Sequence, residues 1–137
     1  MKIVLISCVS KKGNEEAEAK NLYLSPLFRY NLKYASFFNP DKIFVLSAKY
    51  GLLNLEDKVK PYEKSLNKMR SREVKEWSKK VLRELKEISN LEKDEFIFLA
   101  GERYRKFLIP SIKNYKIPLE GLGIGKQLKF LKEATNE

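Results

Sequence analysis

The chain has no histidine, one cysteine (Cys8) and one glutamine (Gln127). Without histidine no catalytic triad can rest on an imidazole base, and a zinc site of the usual composition loses its ligands. A lone thiol cannot build an internal disulfide framework. No stretch approaches the ~18 consecutive apolar residues of a membrane span. The apolar run Ile3 to Ile6 is too short for the core of a secretory leader. These absences favour a cytoplasmic protein with no membrane association. They leave catalysis, if any, to Lys, Tyr, Ser, Asp, Glu or the thiol, with neither metal nor cofactor expected.

What is present fits one domain. The length of 137 residues suits a single core, and the 43% hydrophobic content, with eight Phe and seven Tyr, is enough to fill it. Lys and Arg number 28 against 18 Asp and Glu, a formal charge of +10 that favours polyanionic partners. Neutralised phosphates release condensed counterions, and that release drives such binding. A chain with 34% charged residues, dominated by Lys and Glu, also has a thermophile's surface profile. That profile explains the density of charge better than its net excess.

Continuous apolar runs predict strands at Lys2–Ser7, Lys42–Ser47, Glu95–Ala100 and Tyr115–Leu119. Helical spacing predicts a short helix over Glu15–Leu22 and a second from Pro26 that ends before Asn39. Ser25 caps the second helix, which places Leu27, Tyr30, Asn31, Tyr34 and Phe38 on one stripe. A third helix, Arg72–Ile88, has Val74, Trp77, Val81, Leu85 and Ile88 on one face and Ser71 as its cap. Glu102–Ile112 and Lys126–Ala134 complete the helices, and Ala48–Tyr62 reads as a long ordered loop. The expected fold is therefore a three-layer α/β domain over residues 1–137, a small, mainly parallel four-stranded sheet with helices on both faces.

In such a sheet ligands bind outside the carboxyl ends of the strands. Ser7, Cys8, Ser10, Lys11 and Lys12 follow the first strand; Ser47, Lys49, Tyr50 and Gly51 follow the second. Gly101, Glu102, Arg103 and Tyr104 follow the third, and Glu120 with a glycine run follows the fourth. That run, Gly121, Gly123 and Gly125 before Lys126, precedes a helix, whose N-terminal amides attract anions. Its spacing is neither that of a Walker loop nor that of a dinucleotide fingerprint. Each residue also has a scaffold reading: small residues as turn formers, tyrosine as rim packing, lysines as solvated charge, Cys8 as a buried inert thiol. If Cys8 is reactive, Lys11 and Lys12 are the cations that would lower its pKa.

Three segments resemble the YaaA peroxide-stress proteins. Val45–Tyr62 is similar to that family's L-S-x-x-Y-G-x-L-x-P-L-D-x-x-x-P-Y stretch. Phe98–Pro110 is similar to its L-A-S-x-E-Y-x-x-x-x-x-P stretch, and Ile6-Ser7 with the following lysines to its opening. The resemblance falls on Ser7, Ser47, Tyr50, Gly51, Asp57, Pro61, Tyr62 and Tyr104. Lys49 stands where the family pattern is apolar and Asn54 where it is basic. The motifs S-C-x-x-K-K (Ser7–Lys12), L-Y-x-S-x-x-F (Leu22–Phe28) and L-S-A-K-Y-G-L-L (Leu46–Leu53) resemble a compact uncharacterised domain family. More distantly they resemble a domain of archaeosine synthase, a transfer-RNA-modifying enzyme, which is related to the uracil-DNA-glycosylase-like fold. These resemblances imply a nucleobase or nucleic-acid setting.

The expected function is metal-independent processing of a nucleobase, nucleotide or nucleic acid in a basic cleft, with a nucleobase or an N-glycosidic bond as the point of attack. Ser7, Ser47 and backbone amides would position the ligand, and Lys12, Lys49 and Lys126 would hold phosphate. Tyr50, Asp57 or Glu102 would move protons, and a lysine, Lys49 included, is a nucleophile if burial lowers its pKa. The alternatives are a non-catalytic nucleic-acid-binding module of a stress response and a small-molecule anion sensor.

Overall fold

The computed structural model describes residues 1–7 and 12–136. In chain order the first elements are β1 (Lys2–Ser7), β2 (Ala17–Glu18), α1 (Ala19–Leu22), α2 (Pro26–Ser36), β3 (Lys42–Ser47), β4 (Gly51–Asn54) and β5 (Lys58–Val59). There follow α3 (Ser71–Ile88), β6 (Glu95–Leu99), α4 (Glu102–Arg105), β7 (Asn114–Lys116) and α5 (Ile124–Ala134), with short 3₁₀ turns at Leu66–Lys68 and Ile109–Ser111.

Five strands form the main sheet in the order β4-β3-β1-β6-β7. β3, β1, β6 and β7 are parallel, and β4 runs antiparallel on the edge beside β3. Leu5 lies between Phe44 and Phe98 in register. Residues Ile3 to Ile6 are all 0% exposed, so both faces of the central strand are covered, as their unbroken apolar run requires. From β1 the chain steps to β3, then returns across β1 to reach β6. Right-handed crossovers taken in opposite directions put α2 and α3 on opposite faces. α5 packs against α2, and α3 packs against β4.

Local chemistry explains the helix boundaries. Ser25 Oγ accepts from the Phe28 amide at 3.2 Å, and Pro26 occupies the first helical position, where its missing N–H costs nothing. Asn39, at φ 51°, turns the chain out of α2 towards β3. In α3, Val74, Trp77, Val81 and Leu85 are buried, which places the Lys and Glu residues outward. Among the described residues no helix is long and apolar enough to cross a membrane.

The sheet has one strand more than expected. Gly51, at φ +79°, doubles the chain back so that Leu53 and Leu52 pair with Val45 and Leu46, and the expected loop over Ala48–Tyr62 holds both β4 and β5. Ala17 and Glu18 pair with Val59 and Lys58, leaving only Ala19–Leu22 of the expected first helix. The helix expected over Glu102–Ile112 stops at Arg105, and Pro110 lies in a 3₁₀ turn. Arg70, not Ser71, holds the N-cap position of α3, where the Glu73 carboxylate accepts from the Arg70 amide at 3.3 Å. The last strand is Asn114–Lys116 rather than Tyr115–Leu119, and α5 starts two residues before Lys126.

Candidate ligand-binding site

The reversal of chain direction across β1 makes a topological switch point. The connections from β1 and β6 leave towards opposite faces, and a crevice opens outside their adjacent carboxyl ends. Ser7 and Gly101 stand at those two ends, and the Gly101 amide donates to Ser7 Oγ at 3.1 Å. A cavity of about 650 Å³ lies there. That is within the size range of small-molecule sites. Its walls come from the start of α2, the end of β6, α4, and the segment that leads into α5. Leu27, Phe28, Phe98, Leu119 and Leu122 make much of that wall apolar.

A few polar groups interrupt it. Asn31, on the inward stripe of α2, is 3% exposed and lines the cavity, and its Oδ1 has no hydrogen-bond partner among the described residues. Glu102 is the one carboxylate on the described wall and Arg105 the one cation. The Arg105 guanidinium donates to the Ala100 carbonyl at 2.8 Å, which ties α4 to the end of β6. The buried Tyr104 ring also lines the cavity and meets Trp77 edge-on, with centroids 5.6 Å apart.

The N-terminus of α5 forms another side. Its N-cap is Gly123, which offers no capping side chain, and the first intrahelical bond runs from the Gln127 amide to the Gly123 carbonyl at 2.9 Å. The amides of Ile124, Gly125 and Lys126 therefore begin the helix without intrahelical acceptors. Open space surrounds the Cβ positions of Gly121, Gly123 and Gly125, so a ligand can approach this backbone closely. The Gln127 side chain donates to the Leu122 carbonyl at 2.8 Å and holds the turn.

On the other side of β1, past the end of β3, lies a second polar cluster. Ser47 Oγ donates to the Tyr62 hydroxyl at 2.9 Å, and the Tyr62 and Tyr23 hydroxyls share a hydrogen bond at 2.7 Å. Ser47 Oγ also accepts from the Tyr50 amide at 3.0 Å, while Trp77 Nε1 donates to the Ser47 carbonyl at 2.8 Å. Lys12 Nζ stands 4.4 Å from the centroid of the Tyr62 ring, at cation–π distance. This is a buried hydroxyl chain roofed by a lysine.

The residues singled out in the sequence thus fall into groups. Ser7, Gly101, Glu102, Tyr104 and Gly123 line the cavity. Lys12, Ser47, Tyr50 and Tyr62 share the aromatic cluster. Lys49 is exposed, with Nζ 5.2 Å from the Tyr50 ring centroid. Gly51 is seated against the Glu84 side chain in the turn into β4, and Asp57 closes the next turn by accepting from the Asn54 amide at 2.8 Å. Both therefore serve the chain's own turns. Gly125 and Lys126 lie in the first turn of α5, exposed and off the cavity wall. Cys8, Ser10 and Lys11 lie outside the described residues.

The expected basic cleft is, on the described wall, a largely apolar cavity. Lys12, Lys49 and Lys126 are not on it. Asn31 and Arg105 were not foreseen as site residues. The available signal for Asn31 was an amide standing on an otherwise apolar inward stripe. Among the described residues no three His, Cys, Asp or Glu side chains gather so as to hold a metal ion.

Fold and cavity together define a doubly wound α/β domain with a crevice where such domains take ligands. The chain belongs to the family described as "Family of unknown function (DUF6884)", which it matches over residues 3–133. No curated protein and no solved structure matches it.

Proposed function

We propose that the domain binds a nucleotide in the switch-point cavity and acts on it there. The observation that carries this reading is one cavity of about 650 Å³ that has apolar walls and an open helix N-terminus. Leu27, Phe28, Phe98 and Leu122 offer a surface suited to the faces of a base. Gly123 and Ile124, which open α5 at the positive end of its dipole, stand on the cavity wall and suit a phosphate. Glu102, as the carboxylate on the wall, is the group that moves a proton in a reaction at the bound ligand. The nucleobase setting implied by the resemblances to the YaaA proteins and archaeosine synthase agrees with this reading.

Calorimetric titration of the protein with nucleoside monophosphates, the matching nucleosides and inorganic phosphate tests it. A monophosphate should bind more tightly than either of its parts, and Leu122→Trp, which fills the cavity, should abolish binding in a folded protein. Failure of every nucleobase-bearing compound to bind at millimolar concentration would sink the proposal. The formal charge of +10 supports a second reading, a nucleic-acid-binding module. Its mark is affinity for DNA or transfer RNA that falls by orders of magnitude between roughly 50 and 200 mM salt.

A further inference from the structure

We propose that the exposed face shared by α2 and α5 binds single-stranded nucleic acid, stacking bases on Phe37 and Phe130. The proposal rests on the second reading above, that of a nucleic-acid-binding module, and not on the cavity. It gives that reading a place on the molecule.

α2 and α5 pack against each other, and their apolar stripes are buried in the core through Phe28, Ala35 and Leu131. A row of rings stays on the outer seam between them. Tyr34 of α2 meets Phe130 of α5 edge-on, with centroids 5.6 Å apart, and meets Phe37 at 6.3 Å. Phe37 is 51% exposed and Phe130 38%, so both present ring surface to solvent while the half-buried Tyr34 braces them.

Cations surround these rings. α2 contributes Arg29 and Lys33, and α5 contributes Lys126, Lys129 and Lys132, all exposed, against one carboxylate, Glu133. At helical spacing Arg29 and Lys33 lie two turns and one turn before Phe37, and Lys126 lies one turn before Phe130. Exposed rings set among cations suit a single strand, whose bases stack on the rings while its phosphates meet the charges. A duplex keeps its base faces stacked on one another and has none to offer. A second copy of the chain does not suit this face, because a two-fold pairing would set its cations against the same cations. A lipid surface calls for a broad apolar helix face, and here that face of each helix already lies in the core.

Fluorescence anisotropy with labelled oligothymidylate, oligouridylate and a DNA duplex of equal length tests the proposal. Both single strands should bind more tightly than the duplex, with affinity that falls by orders of magnitude between roughly 50 and 200 mM salt. Phe37→Ala and Phe130→Ala should each weaken single-strand binding by about 5- to 100-fold. Because Phe130 also packs on Tyr34, Phe37→Ala decides the case, and Phe37→Trp should bind as well as wild type. Lys126→Ala should make the slope of log affinity against log salt shallower by about 0.7, the share of one phosphate. Wild-type affinity in Phe37→Ala, or equal affinity for the duplex, overturns this inference and leaves the nucleic-acid reading standing. Phe37-dependent dimerisation, or Phe37-dependent adhesion to vesicles of anionic lipid, with oligonucleotides unbound, assigns the face to another occupant and overturns it too. If no polynucleotide binds even at low salt, this inference and the reading beneath it fall together.

Discussion

Ser7 Oγ and the Gly101 amide are 94 residues apart in the chain and 3.1 Å apart in space, a hydrogen bond that joins the tip of β1 to the tip of β6. It fixes the width of the crevice at its floor. Ser7→Ala removes the acceptor, but Gly101 is exposed and water can take its place. The expected cost in urea unfolding is therefore small, about 0.5–1 kcal/mol. Ligand affinity should fall by a larger margin, because a loosened floor no longer presents the wall groups in one geometry. A variant that loses stability without losing affinity would show that the bond only braces the sheet.

The hydroxyl chain Ser47–Tyr62–Tyr23 predicts unequal effects for two neighbouring tyrosines. Tyr62→Phe takes the central hydroxyl from a buried run and leaves Ser47 Oγ and Tyr23 short of a partner. It should destabilise by about 1–3 kcal/mol. Tyr50 takes part through its backbone amide and through its ring, 5.7 Å from that of Tyr62. Tyr50→Phe should therefore stay within about 0.5 kcal/mol of wild type. Equal losses in guanidinium melts would contradict this arrangement.

Trp77 joins the two sides of β1. Its Nε1 donates to the Ser47 carbonyl beside the hydroxyl chain, and its ring meets Tyr104 on the cavity wall. Trp77→Phe leaves a buried carbonyl without its donor and a gap beside Tyr104. A loss of about 2–4 kcal/mol is expected from the two effects together. Ligand titration of the variant should also show weaker binding, because Tyr104 is no longer braced.

Stability should fall on both the acid and alkaline sides through one pair at the far end of the sheet. The Asp94 carboxylate accepts from the Asn90 amide at 2.7 Å and from the Met1 ammonium at 2.6 Å. The Asn90 bond first, then the ammonium, hold its pKa below the ordinary carboxylate value. The bond to Asp94 raises that of the ammonium. A lowered carboxylate contributes stability above its unfolded pKa, about 3.9, and loses it as pH falls through the folded value. A raised amine contributes fully below about 8 and loses its contribution as pH rises through the folded value. Asp94→Asn should flatten both limbs in a series of melts against pH. Unchanged limbs would mean that the pair carries no linked stability.

The parallel strands were legible because each is an unbroken apolar run such as Ile3 to Ile6, buried on both faces and bounded by polar residues. β4 was not, because Leu52 and Leu53 gain their meaning as strand residues only when Gly51 turns them back onto β3. β2 and β5 are two residues each, below the length at which any period shows. For the site, the sequence placed Ser7, Ser47, Gly101 and Glu120 at one edge of the sheet. It could not place them in strand order. Because β1 lies between β3 and β6, Ser47 and Gly101 fall on opposite sides of it, and one expected cleft became a cavity and a separate aromatic cluster. Asn31 escaped because an amide on an apolar stripe can as easily be satisfied as orphaned, and only coordinates tell the two apart.

The cavity takes its walls from residue 7, from 25–31, from residue 67, from 98–105 and from 117–128, so nearly the whole chain must be in place before the cavity is complete. Occupancy and folding are therefore one linked equilibrium rather than two. A ligand at about a hundred times its Kd adds roughly 2.7 kcal/mol to the stability of the molecule. That gain should appear everywhere at once, as slower amide exchange in β3 and α3, which do not line the cavity, no less than in α2 and β6. Excised fragments should bind nothing, and a protease should cut the liganded protein more slowly at every site that requires global opening.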